Sequence, residues 1–212
     1  MNWVLIKKDP EKVIKKYTDK GVKEYLQKEG SYQCVYCALK DNVLGGIDHY
    51  HVEHYKPKSN ERFKYLVNDY KNLFYSCPIC NRFKWMDWPA DPAPDHSIPA
   101  YPNPSEIDYN SIFDINFETG EIFGKFPASK YMEKKLYLNR PHLILERKRS
   151  YLSKKYRAQI KNFDELSNKL VEIKNIESAN FLRDLALGAA SLSELLLKLD
   201  DLPSYESKDI RK

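Results

Sequence analysis

The sequence predicts an α+β chain that is mainly α, and three observations carry that expectation. Short runs of strand character lie within 47–55, 72–76 and 112–126, each bordered by turn residues. Apolar positions recur at helical spacing over 9–29 and again from Ser129 to Leu199. Two CxxC pairs, Cys34-Val35-Tyr36-Cys37 and Cys77-Pro78-Ile79-Cys80, hold all four cysteines of the chain. Four thiolates in two close pairs suit the tetrahedral preference of zinc, so a structural four-cysteine site is expected to organise 34–84. The energy of metal binding offsets the entropy of closing the long spacer between the pairs.

Each element has its own signal. Asp9-Pro10-Glu11 reads as a helix start, and Val13, Ile14, Tyr17, Val22, Tyr25 and Leu26 would line the buried face of one or two helices over 9–29. Gly45-Gly46 turns the chain into a histidine-rich strand over 47–55, and Asn72 to Ser76 supplies its hairpin partner. Pro78 suits the first turn of a helix carrying Asn81 and Lys84 on one surface. Six prolines between Pro89 and Pro104 preclude regular structure and leave an extended connector. Phe113, Ile115 and Phe117 alternate before Thr119-Gly120, which marks a second hairpin. Beyond it, Pro141 opens a helix and leucines continue to Leu199, with Gly188-Ala189-Ala190 marking a break or a tight crossing. These leucines are read as core, with a partner-binding helix pair as the alternative, and 203–212 as a frayed end.

Length and composition bound the function. A chain of 212 residues, 42% hydrophobic and 13% aromatic, can bury a core of its own. The expected division is a domain over 1–128 and a basic, then leucine-rich helical region over 129–212 packed on it. No apolar run is long enough to span a bilayer, and Met1 to Lys8 lacks the apolar centre of a signal peptide. Reduced thiolates without a targeting signal point to the cytoplasm. The net charge of +5 is uneven, at +3 over 1–30, −5 over 31–124, +10 over 125–162 and −3 over 163–212. The basic block, from Lys125 through Arg140 and Arg147 to Lys161, favours a phosphate backbone over a merely solvated helix face.

A zinc site of this kind is scaffold, so the chemistry is sought in what it holds. Glu53 and His54 are adjacent, and Asn81 follows the last cysteine. A carboxylate and an amide oxygen suit a hard cation, and an imidazole suits a base near neutral pH. His49 and His51 share a strand face, but without matching ligands elsewhere they read as local hydrogen-bonding or DNA-contacting groups.

The block CxxC, then Glu53-His54-Tyr55-Lys56-Pro57-Lys58-Ser59, then Asn72-Leu73, then Cys80-Asn81-x-x-Lys84, resembles the zinc-containing HNH endonucleases. Trp88-Pro89, Thr119-Gly120-Glu121-Ile122 and Leu138-Asn139-Arg140-Pro141 extend the likeness toward the HNH subunit of the Septu anti-phage system and retron-associated nucleases. The resemblance implies a ββα-metal core with His54 as general base and Glu53 with Asn81 as ligands of a catalytic Mg²⁺ or Mn²⁺ ion. It also implies that Asn72 braces the loop carrying the base, and that an ABC-type ATPase is a partner subunit. Glu53 stands where many members carry Asp. Lys84, on the same helix surface as Asn81, is expected to grip a substrate phosphate. The rival is a non-catalytic zinc-stabilised module that binds nucleic acid or a partner protein.

Overall fold

A computed structural model describes residues 2–172 and 179–200. The architecture is α+β with helix predominant, and its strands form two antiparallel two-stranded sheets. By internal packing the chain divides into one unit of 1–116 with 121–143, and another of 117–120 with the chain from 144 onward. The boundary expected at 128 falls inside a helix, α4 (Pro127–Lys135), which packs on the strand β4 (Ile122–Gly124). Gly124 makes that approach possible, because a Cβ there would lie 2.3 Å from the backbone nitrogen of Lys130.

Helix α1 occupies only Val22–Glu29, so the helix expected over 9–20 is not formed. The reason is local competition. Asp9 accepts from the Glu11 amide, Asp19 from the Lys16 amide, and Asn68 from the Tyr17 amide, at 2.9–3.0 Å. Short polar side chains thus take backbone donors that a helix would use, and the segment runs as turns instead.

The strand expected over 47–55 is shorter than its signal. Residues 47–49 form a 3-10 turn, and β1 covers His51–His54. It pairs with β2 (Leu73–Ser76), with Glu53 opposite Phe74 and His54 opposite Leu73. Cys77 caps the following helix α2 (Pro78–Lys84), its sulfur accepting from the Cys80 amide at 3.3 Å, and Pro78 sits in the first turn. The second hairpin joins β3 (Phe113–Ile115) to β4, after the single turn α3 (Tyr109–Ile112). The 89–104 connector contains no regular element.

Tyrosines fill much of the first unit's core. Tyr50, Tyr55, Tyr75, Tyr101 and Tyr109 are buried, and their hydroxyls donate to Leu39 O, Tyr101 O, Asp41, Asp87 and Pro102 O respectively. Burial of so many phenols is tolerable because each hydroxyl keeps a partner. Trp3 stacks on Phe113 and donates to Tyr36 O, which ties the N-terminal segment to the first cysteine turn.

In the second unit, Phe117 stacks on Tyr151 of α5 (Pro141–Glu172), and Arg147 donates to Gly120 O at 3.0 Å. Helix α6 (Ala179–Asp200) runs unbroken through Gly188, where Phe163 of α5 lies within 3.7 Å of an added Cβ. The break is therefore not formed, and since 3.7 Å is ordinary van der Waals contact, no tight crossing demands glycine there either. The core assignment fails at Leu182 and Leu196, which are exposed, as are Leu187 and Leu197 beside them. Ile173, the burial of Leu166, Leu170, Phe181 and Leu199, and the end 203–212 lie outside the described residues.

Candidate functional site

The hairpin β1–β2 and helix α2 carry the cysteines and the candidate catalytic residues together. Cys34 and Cys37 lie on a tight turn before β1, closed by Ala38 N donating to Cys34 O and Cys34 N donating to Leu39 O. Cys77 and Cys80 lie at the start of α2. All four sulfurs are buried and within 4.8 Å of one another. Cys37 and Cys77 are 3.8 Å apart, the ~3.8 Å edge expected of a tetrahedron with Zn–S bonds near 2.3 Å. The donor set therefore fits a zinc ion.

Arg140 completes this centre. One guanidinium nitrogen lies 3.4 Å from Cys80 Sγ, 3.7 Å from Cys37 Sγ and 3.8 Å from Cys77 Sγ. The same group donates to Leu136 O and Tyr137 O and, through Nε, to His142 Nε2. Burial opposes its charge, but the neighbouring sulfurs outweigh burial and hold its proton more tightly than usual. Four thiolates around a divalent ion leave a doubly negative unit, and this cation offsets half of it. In the sequence Arg140 lay inside a basic block and read as a nucleic-acid contact; nothing there marked it as facing inward.

On the other flank of the hairpin, His51, Glu53, His54, Lys58, Pro78, Asn81, Arg82 and Trp85 line one cleft of about 560 Å³. The structure thus brings Glu53, His54 and Asn81 to a common space. His54 Nε2 lies 3.0 Å from Val67 O. A carbonyl only accepts, so Nε2 carries the proton. Nδ1 makes no hydrogen bond among the described residues. Burial is the main influence on this ring, and it lowers the pKa to about 4 against the opposing bond to Val67, so the imidazole is neutral near pH 7. The Tyr17 ring packs edge-on against it at 4.7 Å, and Lys58 donates to the Tyr17 hydroxyl. Tyr17 had been expected on a buried helix face, with no sign of this position.

Asn72 Oδ1 accepts from the Lys56 amide at 2.7 Å, while its amide nitrogen donates to Lys56 O and Leu66 O. These bonds fix the turn directly after His54. Asn81 places its carboxamide at the cleft without a side-chain hydrogen bond among the described residues.

Lys84 departs from expectation. It is fully buried, 2.8 Å from Glu53 Oε1, and donates to His54 O at 3.0 Å. A buried ammonium must be paired, and this one faces β1 across the α2 interface where no substrate phosphate reaches it. Glu53 Oε1 also accepts from Tyr36 at 3.1 Å. Burial is the largest influence on Glu53 and raises its pKa, with Lys84 and Tyr36 pulling the other way. Both bonds fall on Oε1, and Oε2 has no partner among the described residues.

His51 lines the cleft but belongs to no second metal-ligating group; among the described residues the four cysteines are the only such cluster of His, Cys, Asp and Glu. Of the basic block, Arg140 and Arg147 turn inward, whereas Lys154, Lys155, Arg157 and Lys161 are exposed. No described helix is long and apolar enough to cross a membrane. Compared with protein-family models, with curated proteins and with solved structures, the chain gives no match.

Proposed function

We propose that the chain is a metal-dependent endonuclease of the HNH type, hydrolysing phosphodiester bonds of nucleic acid, DNA in the first instance. In this reading β1, β2 and α2 are the ββα core and the cysteine centre is its structural zinc site. One observation carries the proposal: Glu53, His54 and Asn81 share a cleft in which His54 offers an unpartnered Nδ1. A rigid imidazole that is neutral at pH 7, with its proton committed to a carbonyl, is suited to take a proton from water.

The catalytic divalent ion would be held by Glu53 Oε2 and the Asn81 carboxamide oxygen, a sparse set that suits Mg²⁺ or Mn²⁺, which keeps waters and substrate oxygens. When bound, such an ion neutralises charge on the phosphate and on the departing sugar oxygen. The protein's residues do the rest. His54 Nδ1 accepts a proton from water as its oxygen attacks phosphorus in line, and the bond to the sugar oxygen on the far side breaks. Tyr17, Asn72 and Val67 O hold the ring for that step. Lys84 and Tyr36 hold the Glu53 carboxylate so that one oxygen stays available.

An anti-phage role with an ABC-type ATPase partner belongs to the same proposal and rests on sequence resemblance alone. Gel filtration of the co-expressed pair tests it, and separate peaks refute it. For the nuclease itself the test is chelation. Mild EDTA should abolish plasmid nicking while protein-bound zinc remains, and added Mg²⁺ or Mn²⁺ should restore it. Zinc-loaded protein that never nicks with either ion would leave only the binding-module reading.

A further inference from the structure

Trp85 closes α2 in a way that stability does not explain. Its indole is 71% exposed and takes no hydrogen bond or ring contact among the described residues, while Trp3 is buried. Its backbone adopts φ 47°, ψ −122°, a strained conformation that L side chains seldom take. Glycine is the usual residue at such a helix end. The peptide is nonetheless fixed, because Trp85 N donates the helix's last bond to Asn81 O at 2.9 Å. A large flat apolar surface is thus anchored at its backbone and presented to water, on the rim of the cleft that Asn81 and His54 also line.

The charge around it is complementary to a phosphate. Arg82 and Lys58 are exposed on the same cleft, and the one acid there, Glu53, is already paired with Lys84. An aromatic plane beside two cations, next to a neutral base, matches the needs of a nucleotide: a face to stack on and a phosphate to neutralise. A base inside a duplex has both faces covered by its neighbours, so an indole on a cleft rim reaches only an unpaired, terminal or flipped base.

We propose that Trp85 is a stacking platform for an unpaired nucleobase, with Arg82 taking the adjoining phosphate, so that the substrate class is single-stranded nucleic acid or unpaired segments of it. This deepens the nuclease reading and rests on it for the choice of nucleic acid.

Binding of fluorescein-labelled oligothymidylate, oligouridylate and a blunt duplex of equal length to the zinc-loaded full chain, without added divalent ion, tests it. Trp85→Ala should weaken both single strands about tenfold and leave the duplex unchanged, while Trp85→Tyr retains most of the affinity. Arg82→Gln should weaken all three and lower the salt dependence by about one phosphate's share. The thymidylate and uridylate arms separate DNA from RNA as the source of the base. Circular dichroism and zinc content show whether each variant is folded. Equal single-strand affinity for Trp85→Ala and the parent overturns the proposal, as does failure of the parent to bind any oligonucleotide. Single strands bound through Trp85 but never cut would sustain this inference and refute the nuclease reading; cutting unaffected by Trp85→Ala would do the reverse.

Discussion

At His54 the fold holds the imidazole in a protonation state that its sequence neighbours do not impose. Its pKa is lowered from 6.5 to about 4 chiefly by burial, so the folded chain disfavours the charged ring. The sign follows directly. Above pH 6.5 the ring is neutral whether folded or not, and stability is intact; as pH falls from 6.5 toward 4 the unfolded chain takes up the proton first, and stability is lost. Proton titration by NMR should show His54 neutral down to about pH 5, and His54→Gln should flatten the fall in stability over that window. A titration midpoint near 6.5 would contradict the burial account. The Glu53–Lys84 pair makes a second residue-scale prediction. Lys84→Met leaves a carboxylate buried without its cation and should cost about 3–5 kcal/mol in urea unfolding, whereas Glu53→Gln with Lys84→Met should recover part of that loss. At the sulfur centre, Arg140→Gln should speed zinc transfer to a chromogenic chelator several-fold without unfolding the chain, since without the neighbouring cation the sulfurs are protonated more readily and protons compete better with the metal. Unchanged transfer would make Arg140 a packing residue only.

Elements were legible where local pattern and tertiary demand agree. The CxxC spacing, Pro78 at a helix start and the alternation from Phe113 to Ile115 each match what the chain forms, because these signals state backbone requirements directly, although Phe117 falls beyond the strand and is exposed. Over 9–20 the apolar spacing was outvoted by side-chain oxygens that bind nearby amides, a competition that hydrophobic periodicity does not register. The candidate site divides in the same way. Glu53, His54, Asn72 and Asn81 could be named from motif spacing, whereas Tyr17, Val67 O and the inward turns of Lys84 and Arg140 depend on contacts distant in sequence. Glycine illustrates the point again. Gly124 occupies an ordinary strand position in the sequence, yet α4 lies directly against it. Gly124→Ala should destabilise the first unit by about 1–3 kcal/mol in chemical denaturation, and a neutral result would contradict that packing.

For the whole molecule, the cysteine centre joins the turn before β1 to the start of α2 and so holds the two walls of the cleft in register. Removing zinc should therefore unfold the first unit together with the cleft, and readdition should restore both. In the proposed function, the exposed lysines of α5 would add a salt-dependent contribution to nucleic-acid binding that does not depend on His54. Separating binding from chemistry is thus the decisive step. The most direct measurement is the rate at which zinc-loaded, folded His54→Ala protein nicks supercoiled plasmid in Mg²⁺ or Mn²⁺, beside the parent. The account predicts a loss of at least about a hundredfold with plasmid binding retained, the usual contribution of a general base. A variant that nicks as fast as the parent would contradict it.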